Sequence, residues 1–179
     1  MSYSAEWLAV SGIGKDEILS RLSLSDTGIV EEEFMEGIFG HDLSPDWYIL
    51  FGVEPGLVMD TNVAKFSAGC RVISAEISES VMSSCVAEYR DGECQWEIIH
   101  IGDEGIFDLN VDGTPPPEFS EIKDKAIQKQ KSLGGEDAEI DIIFDIPIVL
   151  AHVICGFRHD FFETDEDGIL PQFTRLTSK

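Results

Sequence analysis

The sequence predicts an α+β fold, an antiparallel meander sheet of about five to six strands with one face covered by helices. Two observations carry the sheet. The runs 70–77, 83–90, 93–101 and 106–111 are rich in Val, Ile, Cys, Tyr and Trp, and turn signals bound them at Ser78-Glu79-Ser80, Asp91-Gly92 and 102–105. Their side chains alternate, and both hairpins bring the same apolar face together. A third observation carries the helices: after Pro115-Pro116-Pro117, two segments repeat apolar residues at helical spacing.

The elements follow in chain order. Trp7-Leu8-Ala9-Val10 predicts a short strand ending at Ser11-Gly12, and residues 15–24 predict a helix, with Ile18, Leu19 and Leu22 on one side. Asp16 and Glu17 fall in its first turn, where the helix dipole favours anions. Residues 25–46 are polar and carry Glu31-Glu32-Glu33, so a mobile connector is expected. Trp47 to Phe51 predicts a buried strand, and 62–68 a short helix leading into the meander.

In the meander, a two-residue loop at Asp91-Gly92 suits a type I′ turn. It pairs Arg90 with Glu93, Tyr89 with Cys94, Ala87 with Trp96 and Cys85 with Ile98. A loop over 102–105 then pairs His100 with Phe107, Ile98 with Leu109 and Trp96 with Val111. Ile73, Ala75 and Ile77 join that face. The opposite face receives Ser74, Glu76, Ser84, Glu88, Glu97, Asp108 and Asn110, a wet and acidic surface.

Pro117 suits a first helical position, and a helix over 118–133 follows, with acids early, lysines late and Gly134-Gly135 as its stop. Phe119, Ile122 and Ala126 form its apolar stripe. Asp145 and Pro147 open an apolar helix that runs to Cys155 and stops at Gly156. Residues 1–160 are therefore expected to form one domain, and 161–179 a polar C-terminal tail.

Composition narrows the function classes. Of 179 residues, 12 are Lys or Arg and 35 Asp or Glu, a net charge of −23 that argues against direct nucleic-acid binding and suits a basic protein partner. A hydrophobic content of 43% is enough for a core. Cys70, Cys85, Cys94 and Cys155 form no Cys-x-x-Cys pair and are expected as free thiols. No signal peptide or membrane span is expected, which makes the expected location cytoplasmic.

The motifs are partial. Gly12-Ile13-Gly14-Lys15 lacks the first glycine and the hydroxyl of a phosphate loop. Asp26-Thr27-Gly28 has no second triplet with which to share a proton. The run from Asp108 to Gly113 matches only the first half of a calcium loop, and Glu163 to Gly168 does no better. His41, His100, His152 and His159 have no metal-ligand spacing. Neither a metal nor a cofactor is expected. His100 is expected on the core side as a hydrogen-bonded buried histidine. Arg158-His159-Asp160 is the one polar cluster with parts for anion binding or acid–base chemistry.

Other residues carry a resemblance: Trp7, Val10, Gly12, Glu17, Leu19, Arg21, Leu22 and Thr27-Gly28. They continue with Ser67-Ala68-Gly69, Arg90-Asp91-Gly92, Trp96, Pro116-Pro117-Glu118-Phe119, Phe144-Asp145-Ile146-Pro147 and the run from Gly156 to Asp160. In these the chain resembles a family of small, acidic bacterial proteins without an established function. The resemblance implies a bacterial, cytosolic origin and no known catalytic residues.

The reading that follows is a non-catalytic, immunity- or regulator-like module that engages a basic partner. Its candidate binding residues are Glu76, Glu88, Glu97 and Asp108, with Arg158, His159 and Asp160 as a second cluster. One alternative is a small hydrolase-like enzyme using His100 or the Arg158 cluster. The other is a polyanion mimic that imitates DNA.

Overall fold

The structure is a computed structural model describing residues 4–31, 34, 36–43, 46–53, 56–59, 61–160 and 171–179. The strands are β1 (Ser4–Ser11), β2 (Leu24–Glu31), β3 (Ile38–Leu43), β4 (Trp47–Gly52), β5 (Arg71–Ser78), β6 (Ser83–Arg90), β7 (Glu93–Ile101), β8 (Asn110–Gly113) and β9 (Phe173–Ser178). They form one nine-stranded sheet in the order β2-β9-β3-β4-β1-β5-β6-β7-β8, and every pairing is antiparallel. The α+β class and the antiparallel order β5–β6–β7–β8 agree with the expectation, but the sheet is larger. β8 begins at Asn110 rather than at 106 because residues 102–109 form a longer turn, so Ile98 pairs with Val111 and Trp96 with Gly113 instead of Leu109 and Val111.

The four α-helices divide between the two faces. They are α1 (Lys15–Arg21), α2 (Val63–Phe66), α3 (Glu118–Ser132) and α4 (Asp145–Cys155). On the first face, Phe119 and Ala126 of α3 and Ile146, Ile148, Leu150 and Ala151 of α4 pack over Trp7, Ile73, Ala75, Val86, Trp96 and Ile98. On the second, Ile18 and Leu19 of α1 and Val63 and Phe66 of α2 cover Leu8, Val10, Leu50 and Val72. Helices on one face only was therefore an underestimate. The α1 and α2 segments are short, and their apolar sides cover the β4–β1–β5 part of the second face.

The connector expected over 25–46 contains β2 and β3. Its strand signal is weak because β2 exposes most of its side chains at the sheet edge. The C-terminal tail needs the same correction. Phe173 and Leu176 are buried in β9, which runs between β2 and β3. The partial calcium match from Glu163 to Gly168 lies outside the described residues.

The helix ends follow local chemistry. The Asn62 side chain accepts the Lys65 N–H and caps α2, and Gly156 closes α4 in the left-handed conformation at φ 80°. At the β6–β7 turn, Asp91 and Gly92 take φ values of 49° and 91°, as a type I′ turn requires.

One irregularity re-sorts the meander. Arg90 pairs with Glu93 and Tyr89 with Cys94 as expected, but Glu88 then pairs with Trp96 and Val86 with Ile98. Gln95 is an extra residue in β7, a β-bulge. Its carbonyl accepts the Thr114 N–H at 3.1 Å, and a Cβ on Gly113 would run into that carbonyl. Past the bulge every residue of β6 lies on the opposite face from the uninterrupted register. Ser84, Val86 and Glu88 turn to the helix-covered face, and Cys85, Ala87 and Tyr89 to the other.

Candidate binding face on β5–β8

Past Val72 and Tyr89, which pack in the α1–α2 cluster, the second face of β5–β8 extends beyond the cover of those two helices. Cross-strand pairs define its rows: Glu76 with Cys85, Cys85 with Ile99 and Ile99 with Asn110; then Ser74 with Ala87, Ala87 with Glu97 and Glu97 with Asp112. Glu76 and Glu97 are half-buried and Asp112 is exposed. No Lys or Arg points from these rows. Asp108 precedes β8 rather than lying within it, and its carboxylate accepts from the Asn110 amide at the rim.

Glu6 extends the acidic patch onto β1, directly opposite Glu76. Its Oε2 accepts the N–H groups of Gly56 at 3.0 Å and Val58 at 2.6 Å, which pins the 56–59 segment over the sheet. A cavity of about 300 Å³ opens beside the pair, with Met59, Ile77 and Val81 on its walls. Burial, then the Glu6 and Glu97 carboxylates, push the Glu76 carboxyl above its usual range. The same forces act on nearby acids of other kinds. Burial and then Glu97 push the Cys85 thiol up to about 12, so it is a poor nucleophile at neutral pH. Tyr89 is pushed up to about 12, by burial first and then by Cys94 and Glu97.

Glu88 does not belong to this face. It is 3% exposed on the helix-covered side. Arg71 grips it with two hydrogen bonds, of 3.0 and 2.9 Å, Arg90 adds one at 2.5 Å, and Trp96 Nε1 donates at 3.2 Å. Burial raises the carboxyl, but the hydrogen bonds and charges of the two guanidinium groups outweigh it and hold Glu88 below the usual range. It is a structural ion-pair centre.

His100 is fully buried, on the core side as expected. Nδ1 donates to the Asp108 carbonyl at 2.6 Å, and Nε2 meets Asp141 Oδ2 at 3.0 Å. The other Asp141 oxygen accepts the N–H groups of Ile143 and Phe144. Ser84 lies beside His100 in register, but its hydroxyl donates to the Phe144 carbonyl at 2.8 Å. Serine, histidine and aspartate thus meet without a nucleophile–base contact or solvent access. They tie the 141–144 turn to the β6–β7 hairpin. Gln130 completes the fastening: it is buried, accepts from Ile142 N and donates to the Gly135 and Ile140 carbonyls. No pattern in the sequence singles out Gln130, because a glutamine on a helix otherwise reads as solvated.

Arg158, His159 and Asp160 come together as the sequence suggests, though not around helix carbonyls. Arg158 holds Asp160 by two bonds of 2.9 and 2.8 Å and lies 3.6 Å from Asp145. Burial raises the Asp145 carboxyl, and Arg158 lowers it. For Asp160, burial raises the carboxyl, but the Arg158 bond and charge prevail and hold it low. His159 is buried, and desolvation pushes its imidazole down toward the neutral form. Lys15 pairs with Asp26, so the partial phosphate loop and the isolated Asp-Thr-Gly close on one another. Among the described residues no His, Cys, Asp and Glu set is arranged to hold a metal ion. No described helix is long and apolar enough to cross a membrane.

Comparison with protein-family models, curated proteins and solved structures returns no match.

Proposed function

We propose that the protein is a non-catalytic binding module, immunity- or regulator-like, that engages a basic protein through the second face of β5–β8. One observation carries the reading. Glu76, Glu97 and Asp112 share a sheet face on which no described Lys or Arg lies, while Arg71 and Arg90 sit on the opposite side, closed on Glu88. Such a face attracts a cationic surface and speeds its encounter. Ile99 and Tyr89, both half-buried, add apolar area for a docked partner to cover.

Two further facts favour binding over catalysis. Both ring nitrogens of His100 are engaged within the core, and the Arg158 guanidinium is closed on Asp160. Neither group is free to move a proton to or from a substrate. In this reading the setting is a bacterial cytoplasm, where the four free thiols stay reduced.

The test is crosslinked capture from host lysate with three proteins: wild type, Glu97→Lys/Asp112→Lys, and a control reversal at Glu121 on α3. The reading expects a basic partner that the face variant loses and the control retains. Capture of the same partner by all three rejects this face.

A further inference from the structure

A second surface opposes the overall charge. A groove of about 590 Å³ runs between the C-terminal end of α1 and α2, lined by Leu22, Phe66 and Ala68 with Arg21, Asn62 and Lys65 among its polar groups. Its size is that of a small-ligand site. In a chain with 35 Asp and Glu residues, no described residue lining it is acidic.

The polar groups of this groove are donors in excess. Arg21 Nη1 donates to the Phe66 and Ala68 carbonyls and Nε to Glu17, which fixes the guanidinium against the end of α2. Its Nη2 donates to no described residue. Lys65 Nζ has no ion pair or hydrogen bond among the described residues. The Asn62 side-chain oxygen is used by Lys65 N, so the amide NH₂ remains to donate.

We infer that this groove is a binding site for a small organic monoanion, a carboxylate with a short apolar tail, held by Arg21 Nη2 and Lys65 with its tail against Leu22 and Phe66. The inference is independent of the docking face on β5–β8. Charge selects a small ligand. An acidic macromolecule would bring further anions against a molecule of net charge −23, whereas a single carboxylate meets Arg21 and Lys65, with Glu17 on Arg21 Nε offsetting one of the two charges.

The experiment follows backbone amide shifts in the intact protein during titration with hexanoate and, separately, with hexylammonium. Hexanoate should shift Leu22, Phe66 and Ala68 saturably. Hexylammonium should leave them in place. Lys65→Glu, at an exposed position where folding is not at risk, should weaken hexanoate about tenfold, as loss of one charge-assisted hydrogen bond does. Lys65→Arg should restore most of that loss. The inference is overturned if hexanoate leaves these amides unmoved. It is equally overturned if hexylammonium moves them as much, or if Lys65→Glu binds hexanoate as wild type does.

Discussion

At the residue scale, two glutamates show how position decides the meaning of a charge. Glu88 is ionised, buried and held by Arg71, Arg90 and Trp96. Its carboxyl lies below its ordinary value of 4.5, so it adds stability above that value and loses it as pH falls through the lowered one. Glu88→Gln should cost about 2 kcal/mol at neutral pH, the range for leaving buried donors without their acceptor. It should also flatten the acid limb of the pH–stability curve in urea titrations. Glu76 has the opposite sign. Its raised carboxyl costs stability when ionised, at pH above the raised value. Glu76→Gln should therefore raise the melting temperature at neutral pH, and the gain should vanish as pH falls below 4.5. A gain that persists in acid would show that the ionised carboxylate, penalised by burial and then by Glu6 and Glu97, is not its source.

At the element scale, the β7 bulge is the feature that organises the molecule. The turn at Asp91-Gly92 and the ends of β6 and β7 are legible in the sequence, because Asp-Gly and alternation specify them directly. The bulge at Gln95 is not legible, since one added residue leaves composition and alternation almost unchanged. Its signal lies in Gly113, across the strand, where only the absence of a side chain lets β8 approach. The consequence is large: Trp96 and Ile98 keep their expected core side, while Glu88 and Cys85 exchange faces. Similarly, α4 is readable from its apolar run and closing glycine, but β2 is hidden by its polar, edge-exposed residues and β3 by the Gly40-His41-Asp42 run inside it. At the candidate face, Glu76 and Glu97 were readable, while Glu6 was not, because its role depends on the loop it pins. Trp96→Ala should destabilise by about 3–5 kcal/mol in chemical denaturation, as deletion of a buried aromatic does. Gly113→Ala should also destabilise, by pushing β8 off the Gln95 carbonyl.

At the scale of the whole molecule, the sheet depends on its C-terminal strand. β9 joins β2 to β3, so deletion of 171–179 should leave β2 without its partner and bury less of Phe39. A loss of cooperative unfolding by circular dichroism is the expected result. An unchanged transition would mean that β9 contributes nothing to the sheet. The charge is also distributed rather than uniform: cations lie along α3 and around Glu88, Asp160 and the α1–α2 groove, and the second face of β5–β8 is left acidic. Carboxyl footprinting of the protein alone and crosslink-free in complex with its captured basic partner tests that distribution most directly. The account predicts that Glu97 and Asp112 become protected in the complex while Glu121 and Asp124 on α3 label as before. Protection of the α3 carboxylates with Glu97 and Asp112 still labelled would contradict it.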